Sequence, residues 1–198
     1  MEYIAHLEKD RKLSKILVEA LPELTLHKNI PIRLMASIMS QQLSTHVSRV
    51  IFRRFLELYN GKEPTVNKVL GTDPTVLRGI GLSNNKVSYI INVAEFCIEN
   101  KITDKKLQKM DNASIIELLT EIKGVGKWTV EMLLMFSLGR EDVFAVDDLG
   151  IQQAMIRLYK LDNSDKKALK EKMLQLSEKW SPYRTYACIH LWQWKDDK

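Results

Sequence analysis

The sequence predicts an all-α protein, and three observations support that fold class. Glycine and proline are few, 8 and 5 among 198 residues, so long stretches contain no helix-breaking residue. Apolar residues recur at the three- and four-residue spacing of amphipathic helices, and no long segment alternates with a period of two. A composition of 45% apolar and 28% charged residues is typical of a globular chain. We therefore expect one helical domain over residues 1–198.

In the first half of the chain, residues that typically begin or end a helix predict where the helices lie. Pro22 should end a first amphipathic helix, and Pro31 is well suited to the first turn of a second. Ser44 can cap a third helix, and Asp73 precedes the proline that opens a short fourth. The expected segments are 2–21, Pro31–Met39, Ser44–Leu56, Pro74–Gly79 and Asn84 to about Glu99.

The second half of the chain predicts a further series of helices and an aromatic carboxyl end. Lys101–Asp111 is a charged stretch, expected to form a short solvated helix, and Asp111 or Asn112 can cap the helix after it. Residues 163–179 predict a charged amphipathic helix capped by Asn163 or Ser164. Later helices are expected over Leu149–Tyr159 and after Pro182. The last of them should gather five aromatic residues: Trp180, Tyr183, Tyr186, Trp192 and Trp194.

A glycine hairpin joins two apolar helices in the middle of the second half. Gly124, Val125 and Gly126 separate them, and Lys123 and Lys127 flank the glycines. Both glycines can adopt positive φ, which lets backbone N–H groups approach an outside partner. Because these groups lie at a helix start, they favour an anion such as phosphate. The alternative is an ordinary helix C-cap.

An acidic pair follows the hairpin by about twenty residues. Asp147 and Asp148 come directly after the apolar run Val143–Val146 and precede a helix. Both could be helix N-caps, and that role is the one favoured for Asp147. A carboxylate at a helix start readily stays ionised, which suits an electrostatic role in catalysis.

Four segments together resemble a known family. They read LxxIxGVGxWTxxxxL followed by DVFAVDDLGIQ, SQQLS, LRGIGLSNNKVSYI, and WSPYRTYACIHLW. This pattern covers most of the chain and resembles the helix-hairpin-helix DNA glycosylases of the HhH-GPD superfamily, in particular the 3-methyladenine DNA glycosylase II branch. The length is similar to that of the compact form, without an amino-terminal sheet domain. The resemblance implies two helical subdomains that share the terminal helices, a DNA-binding cleft between them, and a helix-hairpin-helix over about 113–136.

The resemblance also implies an activity and its residues. Asp148 matches the catalytic aspartate that stabilises positive charge on the deoxyribose and can activate water. Trp128 stands where relatives that also cleave the strand have a lysine, so we expect a monofunctional glycosylase that leaves an abasic site. The expected substrates are alkylated purines such as 3-methyladenine and 7-methylguanine, reached by base flipping.

Further site residues follow from the same resemblance. The expected base pocket uses aromatic faces to bind a cationic base, although Trp192 could instead be a core residue. Leu149 and Met132 stand where some relatives have aromatic residues, so the range of substrates is open. The residues predicted to line the pocket are Trp128, Trp192, Met132 and Leu149.

The DNA contacts are expected from two turns. Gln42 should fill the gap left by the extruded nucleotide, and Gln41 should hold the backbone of that turn, although two turn glutamines are ordinarily just solvated. Lys86 lies in the first turn of a helix and could contact phosphate or simply belong to a polar cap. The predicted DNA-binding residues are Gln42, Gln41, Gly124, Val125, Gly126, Lys127 and Lys86.

No cofactor is expected to be required. The resemblance implies a bound Na⁺ or K⁺ at the hairpin, held by the backbone carbonyls of Thr120, Ile122 and Val125. Two cysteines cannot ligate the four-cysteine iron–sulfur cluster that some hairpin glycosylases carry, and the four histidines lack metal-ligand spacing.

Charge and hydropathy limit the partners. A net charge of +5 and a pI near 9.1 permit binding to a polyanion. No apolar run reaches membrane-spanning length, and the amino terminus lacks a signal-peptide pattern. We expect a cytoplasmic, nucleoid-associated monomer that binds double-stranded DNA with damaged bases. The alternatives are a non-catalytic helix-hairpin-helix DNA-binding module, or a glycosylase for hypoxanthine, uracil or ethenoadenine.

Overall fold

A computed structural model describes residues 1–18 and 20–196, and this part of the chain is helical with turns and contains no β-strand. The all-α prediction is confirmed. None of the helices in these ranges is long and apolar enough to cross a membrane. The helices are α1 (Glu2–Leu7), a 3-10 helix (Leu13–Ile16), α2 (Ile30–Ser40), α3 (Thr45–Glu57), α4 (Val66–Leu70), α5 (Pro74–Gly79), α6 (Asn84–Glu99), α7 (Asp104–Lys109), α8 (Asn112–Thr120), α9 (Lys127–Phe136), α10 (Leu149–Tyr159), α11 (Lys166–Glu178) and α12 (Arg184–Asp196).

The chain divides into two compact units. The central unit is Leu26–Leu138, and the terminal unit combines Met1–Thr25 with the chain from Gly139 onward. Both chain ends therefore belong to the terminal unit. The prediction of a single domain whose subdomains share the terminal helices stays a prediction.

The central unit is built around α2. This helix is apolar on nearly all sides and is buried against α3, α6 and α9, as expected for a helix without a polar face. Helices α4 and α5 pack on α6, and α8 packs on α9. The fully buried core includes Ile32, Met35, Ile38, Met39, Phe55 and Ile90.

The terminal unit is built around α10 and α12, which pack on each other, with the 3-10 helix against α12. Its core includes Leu7, Leu13, Met155, Trp180 and Leu191. Of the five aromatic residues expected to gather here, Tyr183 and Tyr186 contact each other, with ring centroids 6.3 Å apart, and Trp180 has other partners. Trp180 packs on Phe144 and Tyr159, whereas Tyr183 and Tyr186 pack on Tyr3.

Side-chain caps set most helix starts. Ser44 and Asp111 accept backbone N–H groups of α3 and α8, as predicted. The cap of α11 is Asp165, so the prediction of Asn163 or Ser164 was wrong by one or two residues.

The predicted helix over 2–21 is wrong, and Asp10 gives the reason. Helix α1 ends at Leu7, and the Asp10 carboxylate then accepts the backbone N–H groups of Lys12 and Leu13. Such a local side-chain bond competes with the helical pattern and turns the chain into the 3-10 helix.

Asp10 is also the centre of a buried polar network. Its Oδ2 accepts hydrogen bonds from Tyr159 Oη at 2.5 Å and Trp180 Nε1 at 2.9 Å, and lies 2.8 Å from Lys179 Nζ. Burial alone would raise the pKa of Asp10, but the bonds from Lys179, Tyr159 and Trp180 outweigh it and hold that pKa well below its ordinary value. The network ties the amino-terminal segment to α10 and to the end of α11.

Replacing Asp10 with asparagine should therefore lower the free energy of unfolding by about 1.5–3 kcal/mol, the range for hydrogen bonds to a charged group. Because the folded-state pKa is lowered, the contribution is fully present above the ordinary carboxyl pKa of 3.8 and declines as the pH falls below it. Urea unfolding of both proteins at pH 7 and near pH 3 measures this. The stability gap should narrow at the lower pH, and a gap that widens there would contradict the assignment.

Candidate active site and DNA-binding elements

A buried turn delivers Asp148 to the start of α10. Val143 to Val146 are each no more than 7% exposed, and the Asp148 N–H donates to the Ala145 carbonyl at 3.0 Å. The Gln152 side chain donates to the Val146 carbonyl at 3.0 Å. The turn is thus held both by its apolar side chains and by α10 itself.

The two adjacent aspartates have different roles. Asp148 is the N-cap of α10. Asp147, predicted to be a cap, instead pairs with Lys170 Nζ at 2.7 and 2.9 Å, so that prediction was wrong. The reason is that only Asp148 directly precedes the first helical residue, where a side-chain oxygen can reach the free N–H groups.

Two donors converge on one oxygen of Asp148. Oδ1 accepts the Ile151 N–H at 2.9 Å and the Trp192 indole Nε1–H at 2.8 Å. One donor belongs to α10 and the other to α12, so the carboxylate is fixed by both helices. The carboxylate thus lies at the positive end of the α10 dipole.

Gly150 makes this arrangement possible, and sequence reasoning missed it. A Cβ at position 150 would lie 3.0 Å from Trp192 Cδ1 and 3.1 Å from Asp148 Oδ1. An alanine there would require the indole or the carboxylate to shift by a few tenths of an ångström. The available signal was a glycine in the first turn of a helix, where helix propensity disfavours it.

The residues predicted to line a base pocket divide between the units. Trp192 is half-buried and Leu149 is 67% exposed in the terminal unit. Trp128, 38% exposed, and Met132 lie on α9 of the central unit. The role of these four residues in base binding stays a prediction. The hydrogen bond from Trp192 to Asp148 gives this tryptophan a contact beyond simple core packing.

The two hairpin glycines serve different purposes. Gly124 has φ +100°, and a Cβ there would lie 2.2 Å from the Tyr89 ring. Gly126 is the N-cap of α9 with φ −92°, and a Cβ there would meet no atom within 4 Å. The expectation of positive φ therefore holds for Gly124 alone. Gly124 is required by packing inside the protein, whereas Gly126 borders open space in front of a helix start.

Other hairpin residues support this shape. The Val125 N–H donates to the Ile122 carbonyl at 3.0 Å, and Asn92 Nδ2 donates to the Lys123 carbonyl at 3.0 Å. The Lys127 ammonium lies 3.5 Å from Glu131 Oε1, one turn along α9. Val125 is buried, so its contribution to any outside contact must come from its backbone.

The carbonyls predicted to hold a monovalent cation lie at the end of α8 and in the hairpin. Thr120 is the last residue of α8, where the helix dipole is negative. The Ile122 carbonyl accepts one hydrogen bond and retains a second lone pair. Neutral oxygen donors at a negative helix end suit Na⁺ or K⁺, and the site stays a prediction.

The glutamine turn between α2 and α3 is strained at its tip. The Leu43 N–H donates to the Ser40 carbonyl at 3.1 Å, which closes a β-turn, and Gln42 adopts φ +59°. A non-glycine residue in this region costs about 1–3 kcal/mol and is often found at functional sites. Gln42 is exposed there.

Lys86 holds this turn from α6. Its ammonium donates to the carbonyls of Met39 and Gln41, both at 2.8 Å, and its burial lowers its pKa. Gln41 was expected to hold the turn, but its amide reaches across to Thr129 Oγ1 at 3.2 Å. The role expected of Gln41 thus belongs to Lys86, and Ser83 is the cap of α6. The phosphate contact of Lys86 and the place of Gln41 among the DNA-binding residues stay predictions.

Residues 35–182 match the HhH-GPD superfamily of base excision DNA repair proteins. The chain belongs to this superfamily. The HhH-GPD assignment agrees with the observed hairpin between α8 and α9.

Individual HhH-GPD relatives are similar over nearly the whole chain. DNA-3-methyladenine glycosylase 1 of Schizosaccharomyces pombe is 36% identical over 189 residues, which are 94% of this chain and 82% of the relative. The solved structure of S. pombe Mag1 with abasic DNA has a TM-score of 0.84 at 33% identity, covering 98% of this chain and 96% of that one. A DNA-3-methyladenine glycosidase from Bacillus halodurans has a TM-score of 0.82 at 32% identity, covering 96% and 87%.

Gly126→Ala and Gly124→Ala form a matched pair that separates DNA contact from folding. Gly126→Ala should change stability by no more than about 0.5 kcal/mol and weaken binding to abasic-site DNA about tenfold or more, because its methyl group occupies the open space in front of α9. Gly124→Ala should lower stability by about 2–4 kcal/mol through overlap with Tyr89 and the positive φ.

Urea unfolding and fluorescence anisotropy with an abasic duplex measure both effects. Unchanged DNA affinity in the Gly126→Ala protein would show that no phosphate approaches this glycine.

Proposed function

We propose that this protein is a base excision repair DNA glycosylase that hydrolyses the N-glycosidic bond of alkylated purines of the 3-methyladenine and 7-methylguanine type. It acts on double-stranded DNA by base flipping and leaves an abasic site. The single observation that carries this proposal is the Asp148 carboxylate, fixed at the head of α10 by Ile151 and Trp192. The similarity to enzymes named DNA-3-methyladenine glycosylase supports the choice of substrate.

The chemistry needs a fixed negative charge beside the sugar. As the N-glycosidic bond breaks, positive charge develops on the deoxyribose, and a carboxylate beside C1′ lowers the barrier. The same carboxylate orients or deprotonates the attacking water. Because its two donors are already in place, Asp148 does not have to reorganise when the charge develops.

Alkylated purines suit a site with one such carboxylate. N3- and N7-alkylated purines carry positive charge on the base, so they leave without strong acid catalysis. An aromatic face attracts such a cation, which is the role we assign to Trp128 and Trp192. Leu149 and Met132 make the pocket less aromatic than in some relatives, so the range of lesions has to be measured directly.

The absence of an amine at position 128 makes the reaction monofunctional. The indole of Trp128 cannot form a Schiff base with the sugar. The neighbouring Lys127 precedes Trp128 by one residue, so its side chain points in a different direction from α9. Its ammonium pairs with Glu131, whose side chain is 3% exposed.

DNA binding uses the central unit. The hairpin presents the backbone N–H groups at the start of α9 beside Gly126 to a phosphate, and Gln42 enters the minor groove at the flipped nucleotide. The similarity to the S. pombe Mag1 structure, which contains abasic DNA, supports DNA binding. The hairpin Na⁺ or K⁺, the monomeric state and the cytoplasmic, nucleoid-associated location stay predictions.

Asp148→Asn tests the catalytic assignment. Asparagine keeps the shape and an oxygen that can accept the two hydrogen bonds, but it removes the charge. Single-turnover base release from a 3-methyladenine duplex should fall by at least about 100-fold, while affinity for abasic DNA changes by less than about threefold. If release continued at the native rate, Asp148 would not be the catalytic carboxylate.

A panel of duplexes tests substrate and reaction type. Each contains one lesion, namely 3-methyladenine, 7-methylguanine, 1,N6-ethenoadenine, hypoxanthine or uracil, and is scored for base release with and without alkaline strand cleavage. We expect base release from the duplexes that contain the two methylated purines, and strand breaks only after alkali treatment. A borohydride-trapped adduct with abasic DNA would contradict the monofunctional reaction, and release from none of the duplexes would favour a non-catalytic binding module.

A further inference from the structure

One helix of the central unit, α6, contacts both turns to which DNA binding is assigned above. Three of its residues, Lys86, Tyr89 and Asn92, follow one another at intervals of three and are all half-buried. Residues three apart on an α-helix are neighbours on its surface, so the three side chains lie along one side of α6. The adjacent residues Val87 and Ile90 are buried in the core. The three side chains therefore reach their partners from a helix that is anchored in the core.

Lys86 holds the glutamine turn, residues Ser40–Leu43. Its ammonium donates to the carbonyls of Met39 and Gln41, both at 2.8 Å. Met39 belongs to the last turn of α2, where carbonyls lack helical partners and the helix dipole is negative. These two charge-assisted hydrogen bonds fix the backbone that leads into Gln42, which adopts φ +59°.

Tyr89 and Asn92 hold the hairpin that precedes α9. The Tyr89 ring occupies the space that a side chain at position 124 would need, since a Cβ on Gly124 would lie 2.2 Å from it. Asn92 Nδ2 donates to the Lys123 carbonyl at 3.0 Å, directly before that glycine. Six residues of α-helix rise by about 9 Å, so α6 sets the separation between the backbone held by Lys86 and the backbone held by Asn92.

A direct hydrogen bond also joins the glutamine turn to α9. Gln41 Nε2 donates to Thr129 Oγ1 at 3.2 Å, and Thr129, in the first turn of α9, is 3% exposed. The helix α6 thus contacts each turn, and the two turns are linked to each other through α9. All of these contacts lie within the central unit.

We propose that α6 aligns the two DNA-contacting turns, with Lys86 and Asn92 as positioning residues for base flipping. The proposal rests on the function proposed above, in which the hairpin binds a phosphate while Gln42 fills the gap left by the extruded nucleotide. Both contacts have to form on one duplex at the same time, so a fixed separation lowers the cost of ordering them. Lys86 then acts on DNA only through Gln42, and Asn92 acts only through the hairpin.

A double-mutant cycle between Lys86 and Gln42 tests the first half of the proposal. Methionine keeps the length of the side chain and removes its two hydrogen bonds. Lys86→Met should slow single-turnover release of 3-methyladenine about tenfold, but by less than about twofold in a Gln42→Ala protein. Lys105→Met removes the same charge from an exposed position on α7 and should leave the rate unchanged in both backgrounds.

A second readout needs no catalysis. A duplex with 2-aminopurine beside an abasic site reports through its fluorescence how the bases stack at the gap that Gln42 fills. The fluorescence change on saturation with protein should be reduced in Lys86→Met and unchanged in Lys105→Met. If the native protein released no base but this pattern appeared, the proposed function would fail while the alignment by α6 would stand.

The matching cycle joins Asn92 and Gly126. Asn92→Ala should weaken binding to an abasic duplex about threefold in the native background and by less than about twofold in a Gly126→Ala protein. Asn67→Ala removes the same amide from an exposed position on α4 and should leave affinity unchanged. Urea unfolding verifies that each variant is folded, and if Lys86→Met is not, this cycle decides because it leaves Lys86 in place.

Additive effects would overturn the proposal. A full tenfold loss from Lys86→Met in the Gln42→Ala protein would show that Lys86 contacts the DNA itself. A full loss from Asn92→Ala in the Gly126→Ala protein would show that Asn92 does not act through the hairpin. Native release by a folded Lys86→Met protein would contradict any role of this lysine in base flipping.

Discussion

The structure of the candidate active site depends on two hydrogen bonds that meet at Oδ1 of Asp148. One comes from the backbone of α10 and the other from the Trp192 indole on α12, so they are in register only while these two helices keep their packing. Gly150 provides the space for the indole. A surface carboxylate would ordinarily sample several rotamers, and this constraint holds one of them before any substrate arrives.

Asp148 and its neighbour Asp147 have different kinds of partner. The donors to Oδ1 of Asp148 described above are a backbone amide and an indole N–H, whereas Asp147 pairs with the ammonium of Lys170. In the central unit, too, intramolecular contacts fix the candidate site residues. Lys86 holds the backbone on which Gln42 adopts a costly conformation, and Gly126 leaves a helix start uncovered. The conformation of Gln42 thus carries a local cost in stability, of the kind often found at functional sites.

Sequence reasoning recovered the parts of this fold that depend on local spacing. Helix periodicity, the caps at Ser44 and Asp111, and the hairpin around Gly124 all follow from residues close in the chain. The helix over 2–21 was wrong because its apolar spacing continues through Asp10, whose partners Tyr159 and Trp180 lie about 150 residues or more away.

The candidate site likewise combines residues that local sequence patterns predict with contacts between residues far apart in the chain. Asp148 could be predicted from its place at a helix start together with the family resemblance. Its partner Trp192 is 44 residues further on, and the Lys86 contact with Gln41 spans 45 residues. No periodicity or cap rule carries information over such separations, so the contact of Lys86 with the glutamine turn, the contact of Gln41 with Thr129 and the ion pair of Asp147 with Lys170 were not predicted.

The most direct test of this account is the single-turnover rate of 3-methyladenine release by Trp192→Phe, compared with Trp194→Phe as a control on the same helix. Phenylalanine keeps an aromatic ring but removes the donor to Asp148, which corresponds to about 1.5–3 kcal/mol and therefore to a rate loss of about 10- to 100-fold. We predict that loss for Trp192→Phe alone, with affinity for abasic DNA unchanged. A native release rate in Trp192→Phe would contradict the claim that this hydrogen bond positions the catalytic carboxylate.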